Sequence, residues 1–424
     1  MRRFLPICLL ACFPVAAQQA PIPTATALSG NPFYVKKSWP IGGSGNWDYL
    51  TMDPVARRLY IAHGQGVQVV DVDSGSVVGE VQGFREAHAI ALDDVNTNGY
   101  VSDGPASAVR VFDRQSLRIE STIPVGCSPR SIAYEPESKL VFAVCGADAV
   151  PPRTTRPGER PELPQVFGYS HVIVIDTSDK DQILADLTVP GDLRVAAADG
   201  RGHVYITAGE SQVPVSRNRT PFNVNHTIAI PPRIVILESS TLINAAHRWF
   251  SEQQKQESDA PARFELDADS SSASLAQFLQ LPSDCSSPQG LAVDGKISRL
   301  FAACGGQKLL VLDPSNGHTV TTLTTGPGED VIGYDPEREL IYSANGGGYG
   351  SLTIIQQDAN TDSYAVVQNL PTLARARTLA IDPSTGAVYL VTDLRGVDIT
   401  KMGGIGTLHF DPIQGSFQVL VVGH

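Results

Sequence analysis

The chain has 424 residues, of which 42% are hydrophobic, and its 44 acidic side chains outnumber 32 basic ones, for a formal net charge of -12 at pH 7. An acidic surface repels nucleic acids and anionic lipids, so we expect no nucleic-acid partner. The length suits either two or three domains or a single domain built from repeats.

The amino terminus has the organisation of a secretory signal peptide. Two arginines precede an apolar stretch from Phe4 to Ala17, which ends in small residues. We predict a signal peptide at 1–17, a flexible segment at 18–32 and a periplasmic or secreted protein. An alternative is a lipoprotein cleavage before Cys12, which would leave a lipid anchor. After the signal peptide no apolar run is long enough to span a bilayer.

From residue 33 onward, one unit of four strands recurs seven times. Each unit begins with a short apolar alternation that ends in an acidic residue, as in WDYLTMDP, AHAIALDD and PRSIAYEP. A second strand with an aromatic at a constant position follows, then a third strand and a tight turn into a fourth. Uninterrupted units recur at a period of about 40–47 residues, which is typical of propeller blades. We predict an all-β fold, a single seven-bladed β-propeller of four-stranded antiparallel blades over 33–424.

Three long insertions, at 150–170, 210–232 and 250–282, interrupt the repeats. The first two join second to third strands, and we interpret the last as joining a fourth strand to the next blade. In a meander these connections share the end of the blade where the first strands begin, which we name the top face. We therefore predict a lid or docking surface on the top face, and a helix at 271–281.

Two segments, one from each end of the repeat region, could form the outermost strand of the last blade. Closed propellers usually combine strands from both chain termini in the last blade. We interpret 407–415 as the third strand of the last unit, and either 33–41 or 416–422 as its outermost strand. The sequence pattern leaves these two alternatives open.

Four cysteines remain after the signal peptide, at the start of the first strand and the end of the second strand in blades three and five. These strand ends meet on one face, and exported proteins reach an oxidising compartment. We predict the disulfides Cys127–Cys145 and Cys285–Cys304. A four-thiolate metal site or free thiols are the alternatives, although no C-x-x-C spacing is present.

The repeats resemble those of the YVTN-repeat, or YncE-like, β-propellers, within the larger superfamily of WD-repeat-like folds. The second strands carry variants of the tetrapeptide, such as YIAH, YVSD and YITA, and the third strands VVDVDSG and VIVIDTS match the pattern of the family. The resemblance implies an extracytoplasmic seven-bladed propeller. It supplies no catalytic motif that could be carried over to this chain.

Aligning the first strands produces a column of polar residues at the top mouth of the channel. Its members are Asp48, His88, Arg130, Arg194, Gln289, Asp330 and Arg377, with Arg375 nearby. The ends of the second strands add His63 and Asp103. The acidic and imidazole groups of blades one and two could bind a divalent metal or relay protons, and the arginines could receive a carboxylate or phosphate. Alternatively, these side chains only line a wet channel.

We predict no cofactor, and His63 and His88 are the side chains that a metal would use. The function that these features favour is binding or scaffolding, with a protein, glycan or small-molecule ligand at the top face. A metal-dependent lactonase-like hydrolase or dehydrogenase at the channel mouth is the alternative. Haem-attachment and nucleophile-elbow motifs are absent from the sequence, so no catalytic residue is assigned, and the oligomeric state is left open.

Overall fold

The computed structural model describes residues 31–43, 45–147, 168–178, 180–214, 227–253, 260–266, 275–285, 287–397 and 410–424. The predicted signal peptide and most of the segment at 18–32 lie outside these residues. The described chain forms seven sheets of four antiparallel strands around a channel, one of them extended by a fifth strand, which confirms the predicted seven-bladed β-propeller. Among the described helices, none is both long and apolar enough to cross a membrane.

Strand β1 (Tyr34–Pro40) belongs to the last blade, and blades one and two follow it along the chain without interruption. Their strands are β2 (Trp47–Asp53), β3 (Arg58–His63), β4 (Gly66–Asp71), β5 (Ser76–Gln82), β6 (Ala87–Leu92), β7 (Asn98–Asp103), β8 (Ala108–Asp113) and β9 (Arg118–Pro124). A short 3-10 turn at Gly104–Ala106 leads from β7 into β8.

Blades three and four carry the insertions. Their elements are β10 (Pro129–Glu135), β11 (Leu140–Cys145), β12 (Tyr169–Asp176), β13 (Gln182–Pro190), β14 (Asp192–Ala198), β15 (His203–Gly209), β16 (Ser211–Pro214), β17 (Thr227–Ile230), β18 (Arg233–Glu238), α1 (Ser239–Gln253), β19 (Ala262–Glu265) and β20 (Ala276–Gln280). Strands β16 and β17 form a hairpin at the top of blade four.

Blades five and six are regular, and blade seven contains a second hairpin. The strands are β21 (Gly290–Asp294), β22 (Arg299–Ala303), β23 (Lys308–Leu312), β24 (Thr319–Thr324), β25 (Glu329–Asp335), β26 (Leu340–Asn345), β27 (Ser351–Asp358), β28 (Ser363–Pro371), β29 (Leu379–Ile381), β30 (Val388–Thr392), β31 (Arg395–Val397), β32 (Phe410–Pro412) and β33 (Gln418–Gly423). The hairpin of β31 and β32 connects the second strand to the third and therefore lies on the top face.

The acidic residue that ends each first strand shapes the turn that follows. In blade one, Asp53 is buried and its Oδ1 accepts the amides of Val55 and Ala56 at 3.1 and 2.9 Å. Asp335 accepts the amides of Glu337 and Arg338 in the same way. Such side-chain-to-backbone bonds stabilise turns. They explain why the repeat keeps an acidic residue at this place.

The hydrophobic core of the described chain is divided among the interfaces between adjacent blades. In β3, Tyr60 packs toward blade two, whereas Leu59 and Ile61 pack toward blade seven. This division follows from the alternation of side chains along a strand. The repeated aromatic of the second strands is buried between blades in every unit. These aromatics are Tyr60, Tyr100, Phe142, Tyr205, Phe301, Tyr342 and Tyr389.

Both predicted disulfides are confirmed. Cys127 pairs with Cys145 in blade three and Cys285 with Cys304 in blade five, with Cα atoms 5.9 and 4.5 Å apart. Each bond joins the chain ahead of the first strand to the end of the second strand. The four thiols are therefore not available for the alternative metal site.

Both ends of the chain complete blade seven. From the channel outward its order is β29, β30, β33 and β1, so the segment at 33–41 is outermost and 416–422 contains the third strand. The prediction of a third strand at 407–415 is wrong where the chain is described, because Phe410–Pro412 is β32, paired with β31. Pro412 has no amide for a ladder, whereas the continuous apolar run of β33 suits a strand that is buried on both faces.

The insertion at 250–282 does not join a fourth strand to the next blade, which corrects the prediction that it is a top-face connection. It connects the third strand of blade four, β18, to the fourth, β20, and this connection is at the opposite, bottom end. Helix α1, at 239–253, overlaps the start of the insertion and stands where a fourth strand was expected before residue 250. Leu242, Ala246 and Trp249 are spaced for one helical face, and that face packs between blades three and four.

The helix predicted at 271–281 is also wrong where the chain is described, because Ala276–Gln280 is the strand β20, paired with β18. Leu279 and Phe278 alternate across this strand and pack on different neighbouring blades. Residues 271–274 lie outside the described part. The insertion further adds β19 as a parallel fifth strand at the outer edge of blade three.

Candidate functional site

The predicted polar column lies where the first strands change register against the second strands. The pairing shifts between Trp47 and Leu50, and similar shifts occur in four other first strands. The column residues inside these shifts are Asp48, His88, Arg130, Arg194 and Asp330. A bulge turns a side chain away from the regular alternation. The column therefore consists of side chains that the irregular backbone directs toward the channel mouth.

Hydroxyl groups of the second strands bind amides that these irregularities release. Ser102 Oγ accepts the amide of Ala89 at 3.0 Å, and Thr207 Oγ1 accepts that of Val195 at 3.1 Å. Both hydroxyls are buried, and buried amides need a partner. In the sequence, the signal for this arrangement was the Ser or Thr that recurs in YVSD and YITA. It was not among the features used to predict the site.

A cavity of about 480 Å³ opens at the top mouth between blades five, six and seven. Among its lining residues are Gln289, Asp330, Arg375 and Arg377, four of the predicted site residues. They come from three consecutive blades, whose first strands pack side by side. The other lining residues are Gly328, Glu329, Gly346 and Gly347.

Asp330 and Arg377 form an ion pair within this cavity. Arg377 Nε lies 3.3 Å from Asp330 Oδ2, and the arginine side chain remains 46% exposed. The pKa of Asp330 is raised to about 6, chiefly by burial; the Arg377 guanidinium opposes this shift and the charge of Asp48 adds to it. A carboxyl that titrates near neutral pH inside a cavity is a typical feature of functional sites.

Arg375 is held in a different environment from its neighbour. Its guanidinium carbon lies 4.6 Å above the ring of Trp47, and Nε is 3.3 Å from Asp393 Oδ1. Asp393 was missed in the sequence. It occupies the place after the second strand where the other six units have glycine, and this departure was the available signal. Asp393 also pairs with Arg395 at 3.4 Å.

Glycines form one wall of the cavity because the backbones approach closely there. A Cβ on Gly328, whose φ is +70°, would lie 2.7 Å from the amide of Gly347. The amides of Gly346 and Gly347 donate to the carbonyls of Gly328 and Pro327, both at 2.9 Å. Larger residues would displace this wall into the cavity. These glycines belong to TGPGED and ANGGGYG.

A second polar pair and a tyrosine lie beside the cavity. His88 Nδ1 is 2.9 Å from Asp48 Oδ2. Tyr49 packs against the core clusters of blades two and three and of blades four and five, so its side chain reaches across the channel from blade one. Burial, followed by the charges of Asp48 and Asp330, raises the pKa of Tyr49, and the hydroxyl stays protonated. Tyr49 was not among the predicted site residues.

His63 and Asp103 do not join His88 and Asp48. His63 is 5% exposed, its Nδ1 lies 2.9 Å from Gln68 Oε1, and its ring stacks on Phe417 at 4.0 Å. Within the described residues, no three His, Cys, Asp or Glu side chains are grouped so that they could hold a metal ion. The four side chains that the sequence suggested as metal ligands therefore lie in separate environments.

Asp103 has a structural environment of its own. The carboxylate is buried and accepts the amides of Arg85 and Glu86 at 3.1–3.2 Å, and Arg110 Nε lies 3.3 Å away. These contacts join blade two to the segment that enters it. Asp103 is thus occupied by its own chain at the edge of the mouth.

The remaining two arginines of the column differ in exposure. Arg130 is exposed on β10. Arg194 binds Asp192 at 2.9 Å and donates to Ser287 Oγ at 2.8 Å. Gln289 Nε2 lies 3.0 Å from the same hydroxyl. Arg194 is therefore connected to the cavity through Ser287 and Gln289.

Comparison with known proteins identifies the fold. No protein-family model matches the chain, and no curated protein matches its sequence. The chain is similar to a structure of U3-55K (TM-score 0.59, 8% identity, 91% of this chain and 97% of that one). It is also similar to the WD40 repeats of RRP9 (TM-score 0.58, 10% identity, 94% and 99%) and to a chain of the Mitotic Checkpoint Complex (0.54, 12%, 89% and 94%). At these identities the similarity establishes a WD40-like propeller fold.

Proposed function

We propose that the protein is an exported binding propeller, distantly related to the YVTN-repeat propellers, that holds a small polar ligand in the top-mouth cavity. The signal-peptide pattern and the two disulfides support export, since such bonds persist in oxidising compartments. The seven YVTN-like units support the family relationship.

The observation that carries the proposal is the convergence of Gln289, Asp330, Arg375 and Arg377 on one cavity of about 480 Å³. This size is suited to a metabolite, because ligand pockets generally measure about 300–1,000 Å³. The ion pair of Asp330 and Arg377 is partly exposed rather than buried in the core. Charged groups held at a cavity by a rigid ring are preorganised for a ligand, which lowers the entropic cost of binding.

A ligand panel tests this function. Purified wild-type protein is screened by thermal shift and titration calorimetry against amino acids, monocarboxylates, dicarboxylates, sugars, sugar phosphates and nucleotides. We expect at least one class to raise the unfolding temperature of the wild type. Arg377→Ala should weaken its binding about tenfold or more, because a charge-assisted hydrogen bond is lost.

The matched control is Arg118→Ala, which removes an exposed arginine from the outer strand of blade two, away from the channel. It should bind as the wild type does. The proposal is wrong if no compound class binds, or if binding is unchanged in both Arg377→Ala and Asp330→Asn. The second result would place the ligand outside the cavity.

A further inference from the structure

Arg377 can exchange its present partner, Asp330, for a ligand. Its contact with Asp330 is made through Nε at 3.3 Å, while the side chain is almost half exposed at the cavity. Arg194, in contrast, is bound to both Asp192 and Ser287, and Arg375 lies between Trp47 and Asp393. An incoming anion would therefore compete with Asp330 for Arg377.

Resting on the proposed binding function, we infer that the cavity binds a monocarboxylate, which replaces Asp330 at Arg377 and is taken up together with one proton. The planar guanidinium matches a carboxylate and can bind it through two parallel hydrogen bonds. Gln289 lines the same cavity and has an amide that can donate to a ligand. In the free protein Arg377 already pairs with a carboxylate, that of Asp330.

The charges around the cavity favour one negative charge on the ligand. Glu329 and Asp330 line it, and Asp393 and Asp48 stand behind Arg375 and Asp330. Glu329 is buried and accepts the amide of Gln307 at 2.8 Å, so its carboxyl group is held in place beside the site. Repulsion from these carboxylates increases with ligand charge. A phosphate dianion is therefore less favoured than a carboxylate.

Proton uptake follows from the position of Asp330. Burial and the charge of Asp48 raise its pKa to about 6, and Arg377 is the group that opposes the shift. When a ligand carboxylate takes Arg377, the opposing contact is lost and a second anion is close by, so the pKa of Asp330 increases further. Protonated Asp330 can then donate a hydrogen bond to the ligand carboxylate.

The groups that face Asp330 come from three sides. Asp48 and Tyr49 approach from blade one, His88 of blade two pairs with Asp48, and Arg377 approaches from blade seven. On its own strand the neighbour is Glu329, and Gln289 and Arg375 complete the cavity. Within this set Asp330 is the acid that competes with the ligand for Arg377. Its protonation should therefore account for most of the proton uptake on ligand binding.

The test is calorimetry with benzoate and butyrate, at millimolar concentrations and at pH 5.5, 6.5 and 7.5, with benzamide and inorganic phosphate as matched probes. Benzoate or butyrate should bind, with an affinity that falls by up to about tenfold per pH unit above pH 6, the limit for one linked proton. Benzamide, which has no charge, should not bind.

Variants identify the proton carrier. Asp330→Asn should bind the carboxylate at pH 7.5 more tightly than the wild type does, with little dependence on pH. Asp48→Asn removes a charge that raises the pKa of Asp330, so the dependence should shift to lower pH. Arg377→Ala should weaken binding about tenfold or more at every pH, whereas Arg118→Ala should behave as the wild type.

The inference is overturned if wild-type affinity for the carboxylates does not change with pH, if Asp330→Asn keeps the pH dependence, or if phosphate binds more tightly than benzoate. It is also overturned if the panel yields an uncharged ligand that depends on Arg377. That last result would leave the binding function intact, whereas failure of every compound class would remove both proposals.

Discussion

Arg375 and Arg377 are two residues apart but have different surroundings. Arg375 has a left-handed backbone, with φ of +69°, and its guanidinium lies over Trp47. Burial and the neighbouring Arg395 and Arg377 lower its pKa, while Asp393 acts in the opposite direction. A non-glycine residue in this conformation is held there by its contacts. We interpret Arg375 as an anchor of the cavity wall and Arg377 as the group that meets a ligand.

Asp330→Asn should change stability in a pH-dependent way. Burial raises the pKa of Asp330 from 3.8 to about 6, against the opposing charge of Arg377. The folded protein therefore binds the proton more tightly than the unfolded chain, and stability is lost as pH rises between these values. The variant should gain about 1–3 kcal/mol in free energy of unfolding at pH 8, and much less at pH 4. Denaturant titrations at both pH values measure this.

The control for this prediction is Glu120→Gln, which neutralises an exposed carboxylate on the outer strand of blade two. It should change stability by less than about 0.5 kcal/mol at either pH. If Asp330→Asn produced the same change at pH 4 and pH 8, the raised pKa would be contradicted.

At the scale of elements, the first strands have two tasks that conflict. Their regular parts pair with the second strands and pack between blades, whereas their upper ends change register and direct polar side chains to the mouth. Hydroxyls such as that of Ser102 bind the released amides. In blade three, a disulfide also joins the two strands near this end. The irregular ends are thus held by covalent and hydrogen bonds.

Removing one disulfide measures this contribution. Cys127→Ala with Cys145→Ala opens a loop with a sequence separation of 18. We expect a loss of roughly 3 kcal/mol in free energy of unfolding, since the unfolded chain gains entropy. Denaturant unfolding compares the variant with the wild type, with and without reductant. Reductant should destabilise the wild type by a larger amount than the variant, which keeps the second bond.

This prediction is contradicted if the variant without reductant is as stable as the wild type. The equivalent pair, Cys285→Ala with Cys304→Ala, is the internal comparison. Its sequence separation is 19, so the chain-entropy effect should be of similar size.

At the scale of the whole molecule, the ring is closed by a segment from each chain end. β1 pairs with β33 in blade seven, and Phe33, which precedes β1, extends the contact to blade six. Gln368 binds the backbone of Phe33 through both its amide and carbonyl, at 2.9 and 2.8 Å. A second link between blades is β19, which comes from the insertion of blade four and pairs with blade three. Such contacts between distant segments hold a repeat array as one cooperative unit.

Phe33→Ala should weaken the closure of the ring. The side chain is 2% exposed, and its ring lies 6.0 Å from that of Tyr342. Truncating a buried phenylalanine generally costs about 3–5 kcal/mol. We expect a loss in this range, measured by denaturant unfolding. Tyr34→Ala, at a position that is 51% exposed, is the matched control and should cost less than about 1 kcal/mol. Equal losses would mean that the Phe33 contact does not close the ring.

The repeat pattern alone determined the fold class, the seven blades and both disulfides, because strand alternation and the constant aromatic are local signals that recur in register. It also identified the polar column, including Asp330 and Arg377. The pattern failed where local signals were ambiguous. A fourth strand was expected before residue 250, where 239–253 form a helix, and the helix predicted at 271–281 contains the strand 276–280, since short apolar runs fit both.

Only the tertiary structure decided which column residues act together. His63 and Asp103 are adjacent to His88 and Asp48 in the alignment, but their side chains bind Gln68 and the amides of Arg85 and Glu86. Likewise, the cavity exists because blades five, six and seven pack side by side and bring Gln289, Asp330 and Arg377 to one place. Side-chain direction at a bulge and contact between distant blades depend on packing in three dimensions, and neither leaves a periodic trace in the sequence.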